Sequence, residues 1–136
     1  MTLRERTEAL ARVPVFSGLS RRSLERIARI AKDVELRAGQ VVIEPRAKGS
    51  GMFVVLEGAV TVGTRGKRTR ELGPGDIVGE LALLTPDALR TARVRAKTPV
   101  RCLAISRDDF RGILTDEPKV AIQVLETVAA RLASPL

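Results

Sequence analysis

Gly79-Glu80-Leu81-Ala82 and, ten residues after the glutamate, Arg90-Thr91-Ala92 supply one carboxylate, one guanidinium and a turn of small residues. Arg90 offers a planar fork of donors that suits phosphate oxygens. Glu80 only accepts hydrogen bonds when ionised, so it suits a sugar hydroxyl. The run 79–82 reads as a loop entering a short helix, where backbone N–H groups without intrahelical partners face an anion. Gly79 lets backbone approach closely, and Ala82 has too little side chain to block it. Thr91 adds a hydroxyl beside the guanidinium. A Glu and an Arg ten residues apart also fit two solvated surface charges. What favours a site is the whole segment, which follows a Gly-rich turn and precedes a strand-like run.

From 78 to 94 the chain reads V-G-E-L-A-L-L-T-P-D-A-L-R-T-A-R-V. This segment resembles the phosphate-binding cassette of cyclic nucleotide-binding domains, the family of the catabolite activator protein and the kinase A regulatory subunit. The resemblance covers residues 15–133. It implies cAMP or cGMP as ligand and no separate cofactor. Arg90 would hold the cyclic phosphate, Glu80 the ribose 2′-OH, and the turn from Gly79 through Leu81 to Ala82 the backbone donors. Val60, Val62, Val78 and Leu81 are candidate apolar contacts to base or ribose. In family members a hydroxyl at the Thr91 position reaches either the phosphate or a guanine amino group, so the choice of base stays open. A cyclic dinucleotide is disfavoured, because two phosphates call for more than one well-placed arginine.

The elements that must position these groups follow from the apolar pattern. Ser20 is an N-cap candidate before a helix on which Leu24, Ile27, Ala28 and Ala31 share one face. A short helix is expected from Thr2 to Arg12, and Val15-Phe16-Ser17-Gly18-Leu19 looks like the family's lead-in. From Val34 the period changes to that of strands. Val41-Val42-Ile43 is one, and 52–62 another, broken at Leu56-Glu57-Gly58 by a bend or bulge. Hairpin turns are expected at 63–70 and 72–76. The glycines at 39, 58, 73, 75 and 79 stand where the family's barrel carries them; Glu44-Pro45-Arg46-Ala47 departs from it, where a glycine is commoner. The fold class expected is α+β, mainly β: an eight-stranded jelly-roll β-barrel flanked by N-terminal and C-terminal helices. One domain fills 1–136, with N-terminal helices over 1–33, the barrel over 34–105 and C-terminal helices over 106–136.

Composition excludes much. With 136 residues there is room for one core, and with three Phe and no Tyr or Trp it must be aliphatic. The chain has no histidine, which removes His-ligated metals, Ser-His-Asp triads and Cys-His pairs, so an enzyme is not expected. Cys102, the one cysteine, sits in a strand-like run and reads as a small core residue. No leader-like segment or membrane span is legible, and a cytoplasmic location is expected.

After the barrel, a short helix from Ser106 and a second from Pro118 are expected. On the second, Ala121, Leu125, Val128 and Leu132 form an apolar stripe, with Val124 and Ala129 beside it. The stripe either packs on the barrel, covers the nucleotide as a lid, or forms a homodimer seam. Arg131 either stacks on the base or remains solvated. The net charge of +8 invites a nucleic-acid reading through Arg21, Arg22, Arg26, Arg29 and Lys32 and through Arg65, Lys67, Arg68 and Arg70. No aromatics interleave with these charges, and no helix-turn-helix follows, which argues against it. The expected function is therefore a cyclic nucleotide sensor without its own DNA-binding domain, acting on an unknown effector protein through its last helix. The alternatives are a degenerate, non-binding interaction module and a charge-driven nucleic-acid binder.

Overall fold

The computed structural model describes residues 1–43, 51–64, 69–79 and 92–133, with the side chains of Ile43, Thr64, Ala92, Val128 and 131–133 left aside. The chain divides into two compact units, Met1–Ile30 with Asp108–Leu136, and Ala31–Arg107.

The first unit is helical. Helix α1 (Leu3–Ala11) starts at a reciprocal capping box: the Glu5 N–H donates to the Thr2 hydroxyl, and the Thr2 N–H donates to the Glu5 carboxylate. Its buried residues are Thr7, Ala9 and Leu10, and the Thr7 hydroxyl donates to the Leu3 carbonyl at 2.7 Å. A 3-10 turn over Pro14–Phe16 buries Val15 and Phe16. Helix α2 (Arg21–Ile30) is capped by Ser20, whose hydroxyl accepts from the Ser23 N–H at 3.1 Å. It buries Leu24, Ile27 and Ala28, the expected face.

Helix α3 (Arg107–Asp116) carries Asp108 and Asp109 in its first turn, where acidic groups suit the helix dipole. It ends ahead of Pro118, which opens helix α4 (Pro118–Ala133) at a position where its missing N–H is harmless. Two polar links tie α2 to the α3–α4 joint. Ser23 donates to Glu117 at 2.5 Å, and Arg26 pairs with Asp116 at 2.6 Å.

On α4 the described residues separate into a buried and an exposed set. The buried positions are Val120 and Val124, at 0% and 1% exposure, whereas Ile122 and Leu125 stand 55% and 61% exposed. The inward face is thus centred one residue before the expected stripe, and the 3-10 turn packs against this helix.

The second unit holds two antiparallel sheets of four strands each, so the whole is a mixed helix-and-sheet fold among the described residues. One sheet runs β1 (Lys32–Leu36), β8 (Val100–Ser106), β3 (Gly51–Glu57), β6 (Ile77–Val78). The other runs β2 (Val41–Ile43), β7 (Ala92–Ala96), β4 (Val60–Thr64), β5 (Arg70–Leu72). Between them lies an aliphatic core that includes Leu36, Val55, Val60, Val78, Val94 and Cys102. On the opposite face of β3 and β8, Met52, Val54, Leu103 and Ile105 are also buried. Burial on both faces explains why these two strands read as continuous apolar runs without alternation.

The break in the run 52–62 is where the chain changes sheets. The β3–β8 register shifts between Val55 and Glu57, and Gly58 follows with φ of +89°. The segment 72–76, expected as a hairpin turn, is also a sheet crossing. Strand β5 pairs with β4 in one sheet and β6 with β3 in the other. The crossing is held by Gly73 N–H on the Asp76 carboxylate at 2.8 Å and by Gly75 N–H on the Val55 carbonyl at 2.8 Å. By contrast β4 and β5 do form an antiparallel pair, Val60 opposite Leu72 and Val62 opposite Arg70. The departure from the family's pattern at 44–47 lies outside the described residues.

Cys102 is 1% exposed, and burial pushes its thiol up to about 11, with the Asp33 carboxylate adding to the shift. At neutral pH it stays protonated and sheltered. A thiol reagent is expected to leave the native protein unlabelled and to titrate one thiol after denaturation; rapid labelling of the native chain would contradict this burial.

Candidate functional site

Of the residues singled out for the site, Val60, Val62, Val78 and Gly79 are among those described. Glu80, Leu81, Ala82, Arg90 and Thr91 lie outside the described residues, as does the side chain of Arg131.

Val78 is the last residue of β6 and is 5% exposed. Its register partner is Phe53 on β3. Val62 is half-buried on β4 and packs against the same inter-sheet core that Val78 helps to form. Two strands from different sheets thus bring both valines onto one apolar wall. The gap inside this core, lined by Leu36, Phe53, Val60, Val78, Val94 and other apolar residues, is about 10 Å³, room for one water at most. That is smaller than the roughly 300–1,000 Å³ of ordinary small-molecule pockets. Its lining carries no polar group, so it is a seam of the packed core and cannot by itself hold an anion.

Gly79 follows β6 with φ of +88°. A side chain in this left-handed region costs about 1–2 kcal/mol, so glycine is what allows the chain to leave the sheet here. The other end of the 78–94 segment is anchored as well. Ala92 opens β7 opposite Thr64, and Val94 lies opposite Val62. The two ends of the expected cassette therefore emerge from β6 and β7, the strands that contribute Val78 and Val94 to the apolar wall.

Strand register adds a residue that sequence reading placed only in a basic hairpin. Arg70 pairs with Val62, and Val62 pairs with Val94, so the three form a row across β5, β4 and β7. Val94 is 3% exposed and belongs to the inter-sheet core, which fixes the row on the inner face. The signal was available in Arg70-Glu71-Leu72: if Leu72 faces the core, the period of a strand turns Arg70 the same way.

The arginines of α2 are engaged differently. Arg21 and Arg29 flank Glu25 at 3.2 and 3.7 Å, and Arg26 is held by Asp116. On the outer surface of the sheets Lys97 pairs with Glu71 at 2.5 Å, and Arg101 with Asp33 and Glu35. Much of the described basic charge is therefore matched within the chain. Among the described residues no group of three His, Cys, Asp or Glu side chains could hold a metal ion. No helix among them is long and apolar enough to cross a membrane.

Comparison with known proteins agrees with this geometry. Residues 33–117 match the cyclic nucleotide-binding domain, and the chain belongs to that family. It is similar to a CRP-like cAMP-activated global transcriptional regulator of Mycobacterium tuberculosis, 29% identical over 92% of this chain and 58% of the regulator. It is also similar to a cyclic nucleotide-gated potassium channel of Rhizobium etli, 34% identical over 94% of this chain and 36% of the channel. Among solved structures, the catabolite activator protein of Thermus thermophilus superposes with a TM-score of 0.78 at 26% identity, over 88% of this chain and 58% of that one. The chain spans less than two thirds of each of these three proteins.

Proposed function

We propose that this chain is a regulatory domain that binds a cyclic nucleoside monophosphate and passes the binding event to an effector protein through its last helix. In this reading the domain is a non-catalytic unit spanning 1–136, with helices over 1–33, a jelly-roll barrel over 34–105 and helices over 106–136. The strand orders 1-8-3-6 and 2-7-4-5 support the jelly roll, since each sheet alternates strands from the two halves of the chain. Arg90 holds the phosphate, Glu80 takes the ribose 2′-OH, and Gly79, Leu81 and Ala82 present backbone donors. Thr91 stands beside the phosphate, Val62 and Val78 contact the base or ribose, and Arg131 reaches the base from α4.

The observation that carries this reading is the convergence of Val62, Val78 and Val94 on one apolar wall, at the strand ends from which the 78–94 segment departs. An apolar surface flanked by an anion-binding loop fits a nucleotide better than it fits a nucleic-acid backbone, which is read through unpaired basic side chains. A ligand acts on α4 only through its differential affinity for two positions of that helix. Titration of the protein with cAMP and cGMP by calorimetry tests the assignment, saturable heat being expected.

A second reading rests on Ile122 and Leu125. Two large apolar side chains exposed on one helix suit a protein partner or a second copy of the chain. The domain would then act as an interaction module with no ligand, and the same titration would give no heat.

A further inference from the structure

Strand β7 reads Ala92-Arg93-Val94-Arg95-Ala96 and is followed by Lys97. We propose that Arg93, Arg95 and Lys97 form a docking surface for an acidic protein segment, a helix that carries carboxylates one turn apart. None of the three is assigned to the nucleotide, so the surface serves such a partner whether or not a nucleotide binds.

Period and register fix the face. Val94 and Ala96 are 3% and 1% exposed in the inter-sheet core, so the alternate positions Arg93 and Arg95 point away from it, and both are exposed. Lys97 shares that outer face, since its ammonium pairs with Glu71, which stands in one row with Thr61 and Arg95. The three cations therefore follow one another at steps of roughly 6.8 Å, over about 14 Å of the sheet. Their neighbours on β4 are small. Thr61 lies opposite Arg95 and Gly63 opposite Arg93, which leaves the guanidinium groups standing above the surface.

The charge on this face is not balanced within it. Among the described residues of β2, β4, β5 and β7, Glu71 is the one acid, and it engages Lys97. Among the described residues no hydrogen bond or ion pair holds the Arg95 guanidinium. Arg101 on the other sheet is the contrast, with Asp33 and Glu35 beside it.

The chemistry of the face selects the partner. Strand β7 has a strand on each side, so a partner meets its side chains and cannot add to it as a further strand. Two of the three cations are arginines, whose planar fork matches a carboxylate and which protein interfaces favour over lysine. On an acidic helix, carboxylates four and eight residues on lie about 6 and 12 Å along the axis, within what flexible arginine stems absorb. These four strands carry no aromatic side chain on which a nucleic-acid base could stack. Three cations alone fall short of a stable hold on a lipid surface.

The test uses the full chain, isotope-labelled for NMR, and an alanine-based helical peptide with Glu at i, i+4 and i+8. At low salt the peptide is expected to shift the amide signals of β7 and of Thr61 and Gly63, and added salt should weaken its binding. Arg95→Glu should weaken it roughly fivefold or more. Arg22→Glu on α2 changes the net charge equally and should cost less than about twofold. Glu71→Gln removes the carboxylate that competes for Lys97 and should strengthen binding about twofold to fivefold. The amide spectrum of each unliganded variant shows that the barrel is intact. No peptide binding, shifts centred on α2, or equal losses in Arg95→Glu and Arg22→Glu would each overturn the proposal. Tighter binding of this face to an oligothymidylate or to phosphatidylserine vesicles than to the peptide would overturn it in favour of a nucleic acid or a membrane.

Discussion

Replacing Arg90 with alanine is expected to weaken cyclic nucleotide binding by about 2–5 kcal/mol, roughly thirtyfold to several thousandfold. The size follows from what is left behind. A cyclic phosphate keeps its negative charge whatever protein surrounds it, and a desolvated anion without its guanidinium bears much of its desolvation cost uncompensated. Backbone donors after Gly79 can hold the phosphate oxygens but supply no full positive charge. The apolar wall of Val62, Val78 and Val94 supplies none at all. Competition with a fluorescent cyclic nucleotide measures the loss, and a melting curve of the unliganded variant separates it from misfolding. Unchanged affinity would remove Arg90 from the site.

The second large effect concerns stability. Gly58→Ala is expected to destabilise the second unit by about 3 kcal/mol or more. Gly58 has φ of +89°, and a Cβ built there falls 2.2 Å from the Pro99 carbonyl oxygen and 2.9 Å from the Thr98 hydroxyl oxygen. The first contact is with backbone, in the turn between β7 and β8, so relief requires moving a ladder and not a side chain. The same corner receives the Ala59 N–H on the Thr98 hydroxyl at 3.0 Å, a link that the displaced turn would strain. Gly112→Ala in α3 is the control. Nothing lies within 4 Å of its added Cβ, its φ is ordinary, and a gain of roughly 0.5–1 kcal/mol is expected. Urea denaturation of both variants measures the contrast. A loss below about 1 kcal/mol in Gly58→Ala would contradict the close approach at this corner.

The helices were legible because their signals are local. Ser20 before an amphipathic run marked α2, and Pro118 marked the start of α4. The strands were legible in position but less so in partnership. Gly58 and the turn at 72–76 punctuate the sequence in the same way as hairpin loops, yet both carry the chain from one sheet to the other. Sheet membership depends on contacts distant in sequence, between β3 and β8 or β4 and β7, which no local pattern encodes.

Which apolar face of α4 turns inward stayed open in the sequence for a related reason. Val120, Val124, Leu125 and Ile122 are all apolar, so periodicity offered two overlapping faces and tertiary packing chose the one through Val120 and Val124. In the candidate site, Val62 and Val78 were readable as apolar strand residues and do share one core. Arg70 was hidden by its neighbours Arg65, Lys67 and Arg68, among which it read as one more surface charge. Only the pairing with Val62 separates it from them. The ligand-holding roles of Glu80 and Arg90 rest on residue type and spacing within the family's cassette.

The central claim is that the barrel wall and the cassette together bind a cyclic phosphate. Calorimetric titration with cGMP and cAMP, with 5′-AMP as the open-phosphate control, tests it most directly. Saturable, near-stoichiometric heat with a cyclic nucleotide and little with 5′-AMP is the predicted result. No heat with either cyclic nucleotide, from protein shown to be folded by its melting curve, would contradict it.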